Sequence, residues 1–365
     1  MKFLNKIISF FVGALFIFSG VIKINDPMGT AIKLEEYFEV FAADFAPFFH
    51  WFIPISVPLA VFLCVLEVVL GIALLVNFKK RLTVKLLAVL IVFFTFLTFY
   101  SAYFDKVTDC GCFGDAIPLT PWQSFTKDVI LCVLIGILLF QNKKFGNEAS
   151  KPALLVTVVG TLASLAIALY ALAYIPILDF RDYKVGNNIG ELMQPQAACK
   201  YEYIMEKDGQ EYTFDAYPSD KSYTFKEMNV LNEKECMPKI VDYNVSNEEG
   251  DDFTEESISG KKLFIIVHKV DGTAKDSYPA ISKLIEDVNQ NYPDIEPMIL
   301  TSDGSNFDAF RHEVQLAAPY YYSDATVLKA VIRSNPGVLL LEDGVVKGKW
   351  AHRNVPDTEE LINKL

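Results

Sequence analysis

Five apolar segments, each close to the roughly 20 residues that a helix needs to cross a bilayer, constrain this chain more than any other feature of its sequence. All five carry few charges: the second contains only Glu67, and the fourth has Lys127 and Asp128 near its start. We therefore predict five transmembrane helices. They cover about residues 5–24, 53–76, 82–104, 122–141 and 152–177.

Residues 28–49, between the first two predicted spans, have a different character. They are amphipathic and carry Lys33 together with Glu35, Glu36 and Glu39. A helix of this kind lies along a membrane surface more readily than across the membrane, so we expect an interfacial or re-entrant helix. The first apolar segment lacks a small-residue cleavage site, which favours a retained span over a cleaved signal peptide.

The two halves of the chain differ in charge. Residues 1–175 carry a net charge of +2 and residues 176–365 a net charge of −14, within a total of −12. A nucleic-acid-binding protein needs a basic face, so no nucleic-acid partner is expected. An apolar, slightly basic half joined to an acidic, polar half indicates a domain in the lipid bilayer fused to a soluble domain.

Basic residues between the spans predict the orientation, because they favour the cytoplasmic side. Lys6 precedes most of the first span, residues 79–81 (KKR) separate the second from the third, and Lys143 follows the fourth. These positions agree only with five spans and a cytoplasmic N-terminus. The loop between spans three and four and the C-terminal half are then extracytoplasmic, which in a bacterial inner-membrane protein means periplasmic.

Cys110 and Cys112 stand in the loop between the third and fourth spans, in the sequence TDCGCFGDA. Gly111 between them can adopt backbone angles closed to other residues. A disulfide across so short a spacing is strained, and a strained disulfide is more easily reduced. We predict a catalytic redox pair, with a static disulfide or a metal site as alternatives. A metal is disfavoured because a closed zinc site needs four ligands and the histidines are scattered.

Glu67 is the other residue for which we predict a catalytic role. An acid within a span is costly unless it is neutral or paired, and it marks a functional site by default. Glu67 is expected either to relay a proton when a dithiol is oxidised or to be a protonated structural group, hydrogen-bonded between helices.

The remaining cysteines fall into two pairs. Cys64 and Cys132 lie within predicted spans and are interpreted as small apolar packing residues. Cys199 and Cys236 lie in the half predicted to face an oxidising compartment, where a structural disulfide is expected. Exchange of this second pair with the Cys-Gly-Cys motif is the alternative.

Three stretches of the membrane half resemble a known family. They are FVGALFIFSGVIKINDP at residues 11–27, LEVVLGIALL at residues 66–75 and CGCFG at residues 110–114. These are similar to the span and cysteine motifs of the DoxX and MauE-like redox-associated membrane proteins. The resemblance implies a four-helix membrane bundle over residues 1–145, to which a fifth helix at residues 146–178 is added.

The same resemblance implies an activity. The family is associated with extracytoplasmic thiol redox chemistry and disulfide formation in partner proteins, and some DoxX relatives with electron transfer to quinones. By motif, the redox role falls on Cys110 and Cys112. A quinone is the cofactor that the resemblance implies, whereas the residues themselves indicate no certain cofactor and no metal.

The soluble half shows two patterns. Residues 179–258 are predicted to form a small β-rich extension, with two strands around a turn at Asp208 and Gly209. Residues 259–365 show the order β-α-β-α-β-β-α, in which the last two strands form a hairpin. This order resembles the thioredoxin fold, so we expect a C-terminal α/β thioredoxin-like domain.

The expected domain departs from the thioredoxin pattern where the active cysteines belong. That position, after the first strand and near His268, has no cysteine, and none follows Cys236. The domain therefore cannot run a cysteine redox cycle and is interpreted as a binding module. Pro336 stands where the fold places a cis proline, so a cis bond is predicted between Asn335 and Pro336.

These patterns predict two functions. The first is an inner-membrane thiol-disulfide redox protein, an oxidoreductase if it is an enzyme, that handles electrons or disulfides of extracytoplasmic thiol proteins through Cys110 and Cys112. The second is a non-enzymatic membrane scaffold or assembly factor of a cell-envelope complex, which binds through its cysteine-free thioredoxin-like domain.

Overall fold

The computed structural model describes residues 2–107, 111, 113–141, 143, 145, 150–304 and 306–365. Cys110 and Cys112, the predicted redox pair, lie outside the described residues. The chain divides into two compact units, Met1–Phe180 and Arg181–Leu365. The first unit is helical and the second is mixed α/β.

The first unit consists of long helices. They are α1 (Lys2–Asn25), α2 (Pro27–Asp44), α3 (Ser56–Leu75), α4 (Lys80–Phe104), α5 (Pro121–Phe140) and α6 (Lys151–Ala173). A 3-10 helix, Pro47–Ile55, leads into α3. Within the described residues, every one of these helices except α2 belongs to a segment that is long and apolar enough to cross a membrane. This confirms the five predicted spans.

The ends of these helices follow from local sequence. Asp26 caps α2 by accepting a hydrogen bond from the amide of Gly29. Thr120 and Gln123 form a capping box at the start of α5. α6 ends at Ala173, earlier than the predicted residue 177, because the proline three residues later disfavours helical backbone in the residue before it.

Glycines bring α1 and α3 into close contact. A Cβ atom on Gly71 would lie 2.8 Å from the carbonyl oxygen of Gly13, and one on Gly20 would lie 2.9 Å from the amide nitrogen of Val68. A side chain at these positions would force the two helices apart. α6 packs against the same two helices, because its Ala168 shares a buried cluster with Val68.

α2 packs its apolar face on the bundle. Ala31 and Leu34 belong to the buried cluster formed by the spanning helices, while Tyr37 and Phe41 pack against the end of α4. Glu39 is exposed. The amphipathic helix expected here is therefore present, and its location at a membrane surface stays a prediction.

The second unit begins with short elements and a small antiparallel sheet. They are α7 (Ile189–Leu192), β1 (Tyr201–Lys207), β2 (Gln210–Phe214), β3 (Thr224–Val230), α8 (Glu233–Cys236) and α9 (Thr254–Ser257). The strand order is β2-β1-β3. Asp208 and Gly209 both have positive φ in the β1–β2 turn, as the predicted hairpin requires. The third strand was not predicted. A bulge in its pairing with β1 puts Phe225 and Met228 three residues apart instead of two, so the strand lacks a regular alternation of apolar residues.

The rest of the unit is an α/β layer. Its elements are β4 (Lys261–Val267), α10 (Tyr278–Asn291), β5 (Ile295–Thr301), α11 (Phe307–Glu313), β6 (Tyr320–Tyr322), α12 (Ala325–Val331), β7 (Gly337–Glu342), β8 (Val345–Ala351) and α13 (Thr358–Ile362). The sheet order is β6-β5-β4-β7-β8. β4, β5 and β6 are parallel, and β7 and β8 are antiparallel to their neighbours. β6 and α12 are additions to the predicted element order.

Candidate functional site

The loop between α4 and α5 contains Cys110 and Cys112, and we call it the cysteine loop. Its first described residues are bound to the end of α2. Lys106 forms an ion pair with Asp44, and the hydroxyl of Tyr100 donates a hydrogen bond to the same carboxylate. The hydrogen bond from Lys106, followed by that from Tyr100, lowers the pKa of Asp44 below its ordinary value. The hydroxyl of Ser101 donates to the carbonyl oxygen of Val107. The start of the loop is therefore held by an ion pair and a hydrogen bond.

The described residues within and after the loop contact three helices. The ring of Phe113 packs edge-on against Phe18 of α1, with centroids 5.6 Å apart, and Lys127 Nζ lies 5.1 Å from the centre of the same ring. Gly111 has a φ of +59°, and a Cβ atom on it would lie 3.4 Å from Lys33 Cγ of α2. Both described neighbours of Cys112 in the chain thus lie beside a lysine side chain.

A buried carboxylate lies next to one of these lysines. Asp128 is 1% exposed. Lys127 Nζ is 2.7 Å from its Oδ1 atom, and Thr98 of α4 donates a hydrogen bond to its Oδ2 atom at 3.0 Å. The two polar residues that weaken the fourth span in the sequence therefore form one compensated pair, which also ties α5 to α4.

A second buried pair surrounds the predicted Glu67. Lys23 Nζ lies 2.6 Å from Glu67 Oε1, and Ser19 donates to Glu67 Oε2 at 2.8 Å. The side chains of Glu67 and Lys23 are 2% and 9% exposed. Lys23 Nζ also lies 4.8 Å from the centre of the Phe94 ring, within the range of a cation–π interaction. Both of these partners of the carboxylate belong to α1.

The two buried ion pairs, Lys23–Glu67 and Lys127–Asp128, place compensated charges inside a bundle of spanning helices. Among the residues that the structure describes, no group of histidines, cysteines and acids could bind a metal ion. Cys64 donates to Thr30 at 3.6 Å, and Cys132 lies 3.1 Å from the hydroxyl oxygen of Thr95. Both fit the packing role expected for them.

In the second unit, Cys199 and Cys236 form a disulfide with a Cα–Cα distance of 4.8 Å, which is the pairing expected from the sequence. The peptide bond between Asn335 and Pro336 is cis, as expected. The backbone amide of His268 donates to Asn335 Oδ1. Burial lowers the pKa of His268 to about 4, so this imidazole is neutral at physiological pH.

Sequence reasoning missed the partners of the buried acids. Lys23 lies near the end of the predicted first span, and neither it nor Ser19 or Thr98 was singled out. A signal was present, because Ser19 and Lys23 are four residues apart and share one face of a helix. An acid such as Glu67 in one span also requires a partner in another.

Comparison with known proteins finds a family that the membrane half is similar to. Residues 1–141 match the family model described as Methylamine utilisation protein MauE. This part of the chain is MauE-like, and the protein is a membrane protein. Residues 199–231 match a second model, described as a domain of unknown function.

One curated relative is Protein TlpB of Flavobacterium psychrophilum. It is 30% identical to this chain over 178 residues, which cover 47% of this chain and 45% of the relative. The match therefore spans less than half of that protein. No solved structure matches the chain.

Proposed function

We propose that the protein is a membrane thiol-disulfide redox protein whose reactive groups are Cys110 and Cys112. The observation that carries the proposal is the MauE-like match over residues 1–141, which contains the Cys-Gly-Cys motif. The contacts on either side of Cys112 support it, since the side chains of Lys33 and Lys127 lie beside Gly111 and Phe113. Nearby lysines favour the thiolate, which is the reactive form of cysteine.

The proposed step is a thiol-disulfide exchange. A partner thiolate attacks one sulfur of a Cys110–Cys112 disulfide, a mixed disulfide forms, and the other cysteine leaves as a thiolate. The second partner thiolate then attacks the partner's own sulfur and releases the pair. The partner is oxidised by two electrons, and the pair is reduced by two. The opposite direction delivers electrons to a partner disulfide by the same steps.

Reoxidation of the pair needs a two-electron acceptor, and a quinone is the class implied by the resemblance to the DoxX family. Its carbonyl oxygens would need hydrogen-bond donors within the bundle. The buried donors Ser19 and Lys23 both donate to Glu67. In this arrangement these two donors are already used, and we assign no step to a quinone. Glu67 is proposed to relay a proton when the dithiol is oxidised.

The remaining parts of the proposal concern placement. We place the protein in a bacterial inner membrane with the cysteine loop and the second unit in the periplasm, where partner thiol proteins are oxidised. We interpret the α/β layer as a thioredoxin-like binding module. The central position of β4, between parallel β5 and antiparallel β7, supports this interpretation.

Trapping redox states in cells tests the proposal. Cells are first reduced briefly and allowed to recover. They are then treated with acid, which stops thiol exchange, and with a thiol-alkylating reagent of measurable mass. We expect the wild-type pair to cycle, Cys110→Ser or Cys112→Ser to accumulate a mixed disulfide with a partner, and Cys132→Ser to behave as wild type. A pair that stays oxidised under reduction, with partner disulfides unchanged in Cys112→Ser, contradicts the redox function.

A second candidate is a scaffold that binds through the second unit. The observation favouring it is that Cys199 and Cys236, the cysteines of the second unit, are joined in a disulfide. A partner that co-purifies equally well with the Cys110→Ser/Cys112→Ser double variant would favour the scaffold. Loss of that partner in the double variant would favour exchange.

A further inference from the structure

The β2-β1-β3 sheet separates its side chains by chemistry. Residues paired across an antiparallel sheet lie on the same face. Tyr203 pairs with Phe214 and Met228, while Met205 pairs with Tyr212 and Phe225. One face is therefore mainly aromatic and apolar, and we call it the aromatic face. It consists of Tyr201, Tyr203, Met205, Tyr212, Phe214, Phe225, Met228 and Val230, with the pair Lys207 and Gln210 at the end of β1 and the start of β2.

The glutamates of the same strands lie on the opposite face. Glu206 pairs with Glu211, and Ile204 pairs with Glu227. Lys226, the residue at the bulge, forms an ion pair with Glu211 on this acidic side. The aromatic face is thus free of strand carboxylates, although the whole chain carries a net charge of −12.

The loop between β2 and β3 adds rings to the aromatic face. Tyr217 packs edge-on against Tyr203 at 5.6 Å and stacks with Phe225 at 6.4 Å. Asp220 of this loop is paired with Lys207 at 3.5 Å. The cluster buries Met205, yet Tyr217 remains 60% exposed and Phe225 50% exposed. The three-stranded sheet and its loop therefore leave a large part of these aromatic side chains exposed.

We propose that the aromatic face rests in the headgroup region of the bilayer that the spanning helices occupy. Tyrosine is enriched where a membrane meets water, since its ring is apolar and its hydroxyl is polar. The partition of charge matches this partner, because the glutamates are kept on the face away from the anionic phosphates of the lipids.

The tether favours a lipid surface over a protein partner. α6 ends at Ala173, and Arg181 already donates to the carbonyl oxygen of Ala330 within the second unit. Fully extended, the chain from Ala173 to Arg181 reaches at most about 28 Å. Arg181 therefore lies within about 28 Å of the end of α6, and so short a tether raises the effective concentration of the second unit at a bilayer surface.

Photocrosslinking on the full-length protein in native membranes tests the proposal. The photoreactive amino acid p-benzoylphenylalanine replaces Tyr217 in one variant and Met228 in another. In the control it replaces Thr213, which faces the acidic side. After illumination, mass spectrometry identifies what is attached. Retention of the Cys199–Cys236 disulfide on a non-reducing gel verifies folding in each variant.

We expect phospholipid adducts at Tyr217 and Met228, several-fold more abundant than at Thr213. Protein adducts at Tyr217 and Met228 overturn the proposal in favour of a protein partner. Equal lipid adducts at all three positions, or none at any, overturn it as well. None of these outcomes depends on Cys110 and Cys112, so the redox function is tested separately.

Discussion

At the scale of single residues, the charged side chains inside the helical unit are compensated. Glu67 is paired with Lys23, and Asp128 is paired with Lys127. Lys127 and Asp128 are neighbours in the sequence, whereas the partner of Glu67 could not be predicted. The sequence identifies an acid within a span as exceptional, but the choice of a partner on another helix depends on which helix faces it. The pairing of Glu67 with Lys23 is decided by the close approach of α1 and α3.

Breaking one buried pair should destabilise the bundle strongly. Lys23→Met leaves the charge of Glu67 without compensation, and removal of one partner of a buried ion pair costs about 3–5 kcal/mol. The double variant Lys23→Met/Glu67→Met should recover much of that loss, because no charge is left unpaired. Thermal unfolding of the detergent-solubilised protein measures both. Equal destabilisation by the single and double variants would show that the pair is not coupled.

The interactions of Asp44 with Lys106 and Tyr100 form an anchor before the cysteine loop, and the stability of this anchor should depend on pH. The pKa of Asp44 is lowered from 3.8 in the folded protein, so the folded state binds the proton less readily than the unfolded state. The anchor's contribution is therefore complete above pH 3.8 and is lost as the pH falls through the lowered pKa. Hydrogen exchange at Lys106 and Val107, corrected for intrinsic rates, should accelerate only in that acidic range.

The isosteric variant Asp44→Asn provides the control for this prediction. It should show the faster exchange at neutral pH and no further acceleration in acid. A wild-type protein whose exchange at Lys106 and Val107 is unchanged through the acidic range would contradict the anchor.

Lys127 should promote the reactivity of the cysteine pair. An ion-pair interaction of about 1 kcal/mol near a protein surface corresponds to roughly a fivefold change in thiolate population. Lys127→Gln/Asp128→Asn removes the lysine charge without leaving the buried Asp128 carboxylate unpaired, and it should slow alkylation of the reduced pair by up to about that factor at neutral pH, while Lys127→Arg keeps the charge and the rate. Stopped-flow alkylation of purified protein measures this. If Lys127→Arg is as slow as the double variant, the effect is one of packing at Phe113.

At the scale of elements, the contact between α1 and α3 depends on the absence of side chains. Gly71→Ala would bring a methyl group against the backbone of Gly13, and overpacking of this kind costs about 1–3 kcal/mol. Because the separation also strains the Lys23–Glu67 pair, we expect a lower melting temperature. Gly136→Ala is the matched control, since a Cβ atom there meets nothing within 4 Å. Equal melting temperatures for both variants would contradict the close contact.

Elements with a strong local signal were predictable, and those that depend on tertiary contacts were not. Span length and mean apolarity are local, so all five spanning segments were found. The turn at Asp208 and Gly209 was found because its residues tolerate positive φ. β3, in contrast, is mostly exposed and is fixed by pairing with β1. β6 is only Tyr320–Tyr322, and it is defined by its alignment beside β5.

At the scale of the whole molecule, the charge pattern predicts an apolar membrane half and an acidic soluble half, and the structure consists of two compact units, a helical one and a mixed α/β one. What the sequence could not provide is the set of side chains beside Gly111 and Phe113. Lys33 and Lys127 come from two separate helices, and only folding places them there. The chemistry proposed for the cysteine loop requires that it face the oxidising side of the membrane.

The orientation of the membrane half can be tested by cysteine accessibility. Lys143→Cys and Asp271→Cys, both at exposed positions, are made separately in a variant lacking Cys110 and Cys112. Basic residues beside the spans predict a cytoplasmic N-terminus. A membrane-impermeant maleimide should therefore label Asp271→Cys in cells with a permeabilised outer membrane, and Lys143→Cys only after lysis. The parent variant controls for labelling of other cysteines. The reverse pattern would put the Cys-Gly-Cys loop in the reducing cytoplasm, where a role in oxidising partner proteins is untenable.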